Sequence, residues 1–470
     1  MVKVKKKNFS DWYLKNILEA ELISYSQVKG SIVFRPYVYK IWENLQNHLD
    51  KEIKSLGVEN SYFPLLIPES FLKKEKEHFE GFTPEVAVVT YAGKEELKEK
   101  LVVRPTSETI MYPYFSDWIR SYRDLPLLIN QWGNVVRWEK RPFPFIRNTE
   151  FLWQEGHTVH SSHKESLNFV LKILSLYEKI YKEIALIYGI SGKKSSLEKF
   201  AGALDTYTYE ILLPDGKALQ GCTSHDLGQN FSRVFNIRFQ DKNKKLKYAW
   251  QTSWGFSSRS LGAILAVHGD DDGLILPPKL SPFKIVVIPI YDKKNNNRQI
   301  DNYLKILKDT FKEDILIDKS EQSVGYKFNK WEIKGVPLRI EIGVNELKSQ
   351  VLTCFRRDIK ERFKIKLDDL KFSLDSILKD IERNLFDRSK KFVEKNTWEV
   401  ESYNSFKKII FNKRGFLRAF WCQNKECELK IKEETKATTR CLPLFSKEEK
   451  GRCIYCNKPS KFRWLFAQSY

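Results

Sequence analysis

The chain has few cysteines, seven in 470 residues, and that is too thin a supply for a disulfide scaffold in a protein of this size. No apolar run is long enough to cross a bilayer. The first residues, MVKVKKKNFSDW, lack the apolar core of a signal peptide, so the expected location is cytoplasmic with no membrane partner. Acidic residues are also short, 60 against 81 lysines and arginines, for a formal charge of +21. The shortfall is uneven. Residues 1–280 carry 39 basic and 33 acidic side chains, a net of +6, whereas residues 281–470 carry 42 and 27, a net of +15. Such a basic excess in one part of a chain fits a polyanionic partner, most often nucleic acid, although lysine-rich general usage gives the same balance. What is present, 42% hydrophobic and 30% charged residues, describes a soluble globular protein long enough for two to four domains.

Gln131–His157 is the most informative stretch: QWGNVVRWEKRPFPFIRNTEFLWQEGH. NVVRWE and TEFLWQEGH read as two strands of a hairpin, joined by a loop that Pro142 and Pro144 stiffen. Arg137 and Arg147 flank that loop, and arginine grips planar carboxylates and phosphates with paired hydrogen bonds. The stretch also fits an exposed hairpin with ordinary surface arginines. The rest of the chain decides between the two.

Upstream, Val38–Leu56 is a predicted helix, with Ile41, Leu45, Leu49 and Ile53 at intervals of four and Gly57 as its stop. In LVVRPTSETIMYPY, Thr106, Ser107 and Glu108 stand where a strand enters a helix. One of the hydroxyls there fits a helix cap; Thr106 and Glu108 also fit a pocket for a substrate ammonium group. Downstream, a long helix is predicted from about Glu165 to Tyr188. GKALQGCTSHDLG then holds Gln220, Thr223 and His225 among small residues that let a ligand approach the backbone. FSRVFNIRF alternates like a strand, and Arg259 opens an apolar helix whose N-terminus favours an anion. FKIVVIPIY and the segments after it alternate as a compact α/β unit, and residues 369–395 read as a helix. The last ~75 residues read as a separate unit. It holds Cys422 and Cys427 as C-x4-C and Cys453 and Cys456 as C-x2-C, the ligand set of a closed structural zinc site.

Taken together, RPYVYKIWENLQ, YFPLLIPESFL, RPTSET, QWGNVVRWE, EFLWQEGH, TSHDLGQNF, SWGFSSRSLG, VHGDDDGLILPP, KFNKWEIKGVPLRIEIG, the cysteine pairs and the terminal Tyr470 cover nearly the whole chain. This set resembles the class II aminoacyl-tRNA synthetases, and within them the prolyl-tRNA synthetases of archaeal/eukaryotic type. The resemblance implies an α+β protein. Its parts would be an antiparallel-sheet catalytic domain over 1–280, an α/β anticodon-binding domain over 284–370, a helical linker over 371–395 and a zinc-binding α+β domain over 396–470. It implies a homodimer, built on the helix and proline-containing strand of residues 31–68. The reaction implied is that of a proline–tRNA ligase: L-proline and ATP, with Mg2+, give prolyl-adenylate and pyrophosphate, and the prolyl group passes to the 3′ end of tRNA(Pro).

Roles carry across by position. Arg137 matches the arginine on the proline carboxylate and α-phosphate, and Arg259 matches the arginine on ATP; these are the expected catalytic pair. Glu139, Arg147, Asn148, Phe151, Gln220, Thr223 and Ser257 fall at the remaining ATP positions, with Gln220, Thr223 and Ser257 near the magnesium ion. Thr106 and Glu108 match groups on the proline nitrogen. Phe82, Glu85, Val86, Trp153, Glu155, His157, Phe200, His225, Ser253 and Gly255 would line the ring pocket. Asn148 and Ser257 stand where the family more often has threonine, which leaves the Asn148 side-chain role open. In the basic unit, Lys327, Lys330, Arg339, Glu341, Lys348, Arg356 and Arg357 are expected to face the anticodon. About a hundred residues separate the second and third motifs, too few for a large editing insertion. A silent relative would have lost Arg137, Arg259 or Glu108, and a threonine enzyme would carry a Cys/His triplet in the pocket; this chain fits neither description.

Overall fold

The computed structural model describes residues 8–72, 85–291 and 297–470. Helix α1 (Phe9–Glu19) buries Trp12, Tyr13 and Ile17, and α2 (Pro36–Lys54) buries the stripe Val38, Ile41, Leu45, Leu49 and Ile53. Proline at the first turn of α2 forfeits no intrahelical hydrogen bond, since first-turn amides have no intrahelical acceptor in any helix. Helix α3 (Glu108–Trp118) follows the polar Thr106–Ser107 junction, with both hydroxyl residues buried.

Among the described residues, the main sheet has eleven strands. Its catalytic strands are β1 (Glu59–Asn60), β2 (Leu127–Val136), β3 (Glu150–His160), β4 (Gly189–Lys193), β5 (Asp205–Leu212), β6 (Ala218–Gly228) and β7 (Trp250–Ser257). The predicted hairpin is present as β2 and β3, antiparallel in register from Leu127↔Val159 to Val136↔Glu150. Helix α4 (His163–Lys179) covers one face of the sheet. It continues into a π-helical turn at Ile180–Ile184, so the helical run stops short of the expected Tyr188. Helix α5 (Arg259–His268) follows β7 directly.

FSRVFNIRF is not a strand. It forms a short helix, Asn230–Val234, and only Arg238–Gln240 is extended. Phe231 and Phe235 are four apart and share a helical face, and Asn236 ends the turn at φ 56°.

The basic unit is a five-stranded sheet of β8 (Ile285–Ile290), β9 (Ile315–Ile317), β10 (Leu338–Gly343), β11 (Val351–Arg356) and β12 (Glu361–Lys366), in the order β9-β8-β10-β11-β12. The first three strands are parallel and the last two antiparallel. Helices α6 (Arg298–Phe311) and α7 (Val324–Ile333) are its crossovers. Helix α8 (Leu370–Lys395) then leads to the C-terminal strands β13 (Thr397–Glu399), β14 (Phe416–Phe420), β15 (Ala437–Pro443) and β16 (Arg463–Gln468), with α9 (Tyr403–Asn412) and α10 (Lys425–Thr435) packed on them. These strands are not a sheet of their own. β15 pairs with β4 through Leu442↔Lys193 and Pro443↔Gly192, so the full order is β13-β14-β16-β15-β4-β5-β6-β7-β3-β2-β1.

Candidate active site

Strand register assembles the site. Across β3, β7 and β6, Glu155 stands opposite Gly255, and Gly255 opposite Thr223. Two residues further along, His157 faces Ser253, and Ser253 faces His225. Alternate residues point to one face of a sheet, so these six share a face with Trp153 and Ser257. They line a cavity of about 280 Å³ together with Thr106, Glu108, Arg137, Phe151, Phe200, Gln220 and Arg259.

The cavity floor is polar and locked. Thr106 donates to Glu108, and the Ser107 hydroxyl donates to Glu155. Gln131 Nε2 donates to Glu155 Oε1 at 3.0 Å, while its Oε1 accepts from the Phe63 amide at 2.5 Å. His157 bridges the Tyr112 hydroxyl, 3.0 Å from Nδ1, and Glu155 Oε2, 3.3 Å from Nε2. Buried carboxylates at Glu108 and Glu155 are held by hydroxyls and an amide, with no Lys or Arg ion pair among the described residues. Their negative charge is therefore left to face the cavity. On the far wall, burial drives the His225 pKa down to about 3, with His157, Arg137 and Lys194 adding to the effect. That imidazole is neutral at physiological pH and accepts or donates within a bond to Thr206 Oγ1 of 2.9 Å.

A second cavity of about 230 Å³ shares Arg137, Phe151, Ser257 and Arg259 with the first and adds Glu139, Phe145, Ile146, Arg147 and Asn148. Arg137 sits at the junction. Its Nε donates to the Pro105 carbonyl at 2.9 Å, and its guanidinium lies 5.6 Å from the Phe151 ring and 5.5 Å from the Trp153 ring. The surrounding protein lowers its pKa, against the pull of Glu108 and Glu155. Arg259 donates from Nε to the Ile146 carbonyl at 3.0 Å, and burial, helped by Arg137, brings it down to about 10. Both side chains remain cationic, and neither forms an ion pair among the described residues. Arg147 lies 3.7 Å from Glu139. The Asn148 amide nitrogen is buried and has no hydrogen-bond partner among the described residues.

The loop between the hairpin strands is held by contacts at several points. Phe143 and Arg147 exchange backbone hydrogen bonds of 2.7 and 2.8 Å around Phe145, which adopts φ 62°. The Tyr13 hydroxyl of α1 donates to the Pro144 carbonyl at 3.0 Å. Tyr470 stacks on Phe143 at 6.1 Å and donates from its hydroxyl to Asp215 at 2.6 Å.

Of the expected pocket residues, Glu85 and Val86 line neither cavity. The Glu85 carboxylate pairs with the exposed Lys140 at 2.7 Å, and its own carbonyl accepts from the Trp138 amide at 2.8 Å. Phe82 lies outside the described residues. Sequence reasoning missed Glu198, Lys199 and Thr206, which also line the first cavity, and the Ser107–Gln131 support beneath Glu155.

Several cations expected at the anticodon are engaged inside the chain. Lys327 is buried and donates to the Asp318 carbonyl at 3.1 Å, and Arg339 pairs with Glu332 and Glu341 between the rings of Phe328 and Phe355. Arg356 pairs with Asp358 and Asp380, and Arg357 with Asp270. Lys348 stays exposed and Lys330 half-buried.

Cys422, Cys427, Cys453 and Cys456 converge, with their sulfur atoms all within 4.8 Å of one another. Cys422 Sγ lies 3.7 Å from Cys427 Sγ and 3.6 Å from Cys456 Sγ. Four thiolates at about 2.3 Å from a tetrahedral zinc would be separated by about 3.8 Å, so the donor set fits that metal.

Three family models match the chain: "tRNA synthetase class II core domain (G, H, P, S and T)" over 91–268, "Anticodon binding domain" over 284–375 and "Prolyl-tRNA synthetase, C-terminal" over 403–470. The proline–tRNA ligase of Mycoplasma capricolum is 48% identical over 466 residues, covering 98% of this chain and 97% of that protein. The chain belongs to the prolyl-tRNA synthetase family. The ligase of Alkaliphilus oremlandii is 47% identical over 98% of this chain and 96% of its own length. A solved prolyl-tRNA synthetase from Cryptosporidium parvum, complexed with halofuginone and AMPPNP, superposes with a TM-score of 0.94 at 40% identity, covering 99% of this chain and 98% of that one. The family's three parts, class II core, anticodon-binding domain and C-terminal domain, are thus all present. Residues 161–249, between the hairpin and β7, are fully described and contain only α4, its π-helical extension, β4–β6, the short helix at Asn230–Val234 and a two-stranded ribbon at Arg238–Gln240 and Leu246–Tyr248. They hold no large insertion.

Proposed function

We propose that the two joined cavities carry amino-acid activation, with Arg137 at the point where the reacting groups meet. The chain is an ATP-dependent proline–tRNA ligase. The observation that carries the division of labour is the sharing of Arg137, Phe151, Ser257 and Arg259 by a carboxylate-floored cavity and a cationic one. In this reading Glu108, backed by Thr106, takes the proline ammonium, and Trp153, His157, Phe200 and His225 enclose the ring. The substrate carboxylate and the α-phosphate are both anions, and bringing them together is the main electrostatic obstacle. Arg137 neutralises both ends of that encounter from a fixed position, and Arg259 and Arg147 take the charge that develops on the departing pyrophosphate. The nucleophile is already ionised, so no side chain needs to act as a base. A neutral His225 is consistent with a pocket wall. In the same reading Asn148 and the Phe151 ring meet the nucleotide base, supported by the unpartnered Asn148 Nδ2 in the second cavity, and Gln220, Thr223 and Ser257 offer oxygens on the magnesium side. Mg2+ would shield the triphosphate charge.

The prolyl group then passes to the 3′ end of tRNA(Pro), with the unit over 284–370 reading the anticodon and the helix over 371–395 linking it to the C-terminal unit at 396–470. We place a structural zinc on the four cysteines. A homodimer is supported by exposed aromatic surface where the segment after α2 meets α3: Tyr62 is 68% accessible, Trp118 46% and Tyr114 42%. The proposed setting is the cytoplasm; among the described residues, no helix is long and apolar enough to cross a membrane. The test is ATP–pyrophosphate exchange with each of the twenty amino acids in turn. Exchange that depends on proline supports the reading, and exchange supported by another amino acid or by none refutes it.

A further inference from the structure

The wall of the amino-acid cavity contributed by Glu198, Lys199 and Phe200 belongs to a loop that begins at Lys194, immediately after β4. Little in the loop's own composition would hold it still, since KSSLEKF is short, polar and partly exposed. It makes one turn of its own, in which the Lys199 amide donates to the Ser195 carbonyl at 3.0 Å and the Glu198 amide to the Ser195 hydroxyl at 3.2 Å, and its buried side-chain anchors come from elsewhere. The Ser195 hydroxyl donates to Glu428 Oε1 at 2.7 Å, and Thr439 donates to the same oxygen. Lys194 Nζ lies 3.1 Å from Glu210 Oε1, and Arg440 grips the other oxygen of Glu210 at 2.8 and 2.9 Å. Glu428, Thr439 and Arg440 all belong to the C-terminal unit, on α10 and β15. Every member of this network is at least nine-tenths buried: Lys194, Ser195, Glu210, Glu428, Thr439 and Arg440.

We infer that the C-terminal unit positions the cavity wall through two buried carboxylates, Glu428 and Glu210, and thereby sets the affinity for the amino acid. If the loop shifted, Glu428 would lose a hydroxyl donor and Glu210 its lysine, each in a place where water cannot substitute. At its other end the loop is keyed to the pocket: the Phe200 amide donates to Thr206 Oγ1 at 2.9 Å, and that hydroxyl also meets His225. The Phe200 ring lies 4.8 Å from the His225 ring. A displacement at Ser195 would therefore reach the ring-binding wall, while Arg137, Arg147 and Arg259, on other elements, stay in place. Glu428, Ser195 and Arg440 are positioning residues in this account and touch no substrate.

The inference rests on the proposed reading of the cleft as the proline site, and the two fail differently. The experiment is exchange kinetics, at varied proline and varied ATP, for Ser195→Ala, Glu428→Ala and Glu428→Gln, with circular dichroism to establish folding. Loss of the tie raises the proline KM about tenfold in Glu428→Ala and several-fold in Ser195→Ala, with kcat and the ATP KM changed by less than about twofold. Glu428→Gln keeps an acceptor for both hydroxyls and returns most of the proline affinity. A merely structural role lowers the amount of active enzyme, hence the maximal rate, and leaves the proline KM alone. If Glu428→Ala does not fold, the milder Ser195→Ala decides. A proline KM within about twofold of the parent in the folded variants overturns the tie, as does an equal rise for proline and ATP. Exchange by the parent that ignores proline overturns the reading of the cleft itself.

Discussion

Arg357 grips both carboxylate oxygens of Asp270, at 2.6 and 2.8 Å, and so joins the anticodon-binding sheet to the far end of the helix that begins with Arg259. Lys360 adds a second cation at 3.0 Å. Burial alone would raise the Asp270 pKa; the hydrogen bonds and charge of Arg357, with Lys360 behind it, hold it down to about 2. The folded-state value lies below the ordinary 3.8, so the pair's stabilisation is complete above about pH 4 and fades as pH falls toward 2. Arg357→Ala should cost about 3 kcal/mol at neutral pH, read by thermal unfolding. The gap between parent and variant should narrow in that acid window.

At the junction of the two cavities, charge alone is predicted to be insufficient. Arg137→Lys keeps the cation but loses the planar fork and the Nε bond to the Pro105 carbonyl. Proline-dependent exchange should fall by about 10²–10³-fold with an unchanged circular dichroism spectrum.

The glycines of the facing strands are predicted to differ in kind. A Cβ at Gly156 would meet the Trp254 ring at 2.1 Å, whereas one at Gly255 meets Trp153 at an ordinary 3.5 Å. Gly156→Ala should destabilise the fold by about 3 kcal/mol, measured by denaturant unfolding. Gly255→Ala should fold normally but raise the proline KM, because its methyl group stands on the cavity face.

His225 gives a prediction in pH. Its folded-state pKa of about 3 lies below the ordinary 6.5, so its contribution to stability is complete above about pH 6.5 and is lost as pH falls toward 3. His225→Gln, which does not titrate, should have a shallower acid slope of unfolding over that range. The exchange rate of the parent should show no inflection from this imidazole near neutrality.

Metal content is equally direct. The purified protein should hold about one zinc per chain by elemental analysis, and Cys456→Ser should lower that content. Strong chelation should unfold the C-terminal unit before the catalytic strands, visible as a first transition in tryptophan fluorescence from Trp421 and Trp464, whose rings lie 4.8 Å apart.

Much of the cavity was expected only through the family resemblance; strand alternation is the physical reason that Trp153, Glu155 and His157 on one strand and Ser253, Gly255 and Ser257 on its partner reach one face. The helix at Pro36–Lys54 was legible from its apolar spacing. Other features left no local trace. Arg339, Arg356 and Arg357 read as available cations, and only the folded chain reveals the carboxylates they hold. The pairing of Leu442 with Lys193 joins residues about 250 positions apart, which no periodicity encodes. Phe231 and Phe235 fit a strand and a helix equally until Asn236 took a left-handed conformation.

The merged sheet has a consequence for biosynthesis. β16 lies between β14 and β15, so the stretch at Arg463–Gln468 must leave the ribosome before β15 gains its second neighbour. Until then the outer edge of β4, which borders the cavity-forming loop, has no completed sheet beyond it. Nascent chains carrying every catalytic side chain would therefore present an unfinished strand edge, a surface that invites pairing with other chains.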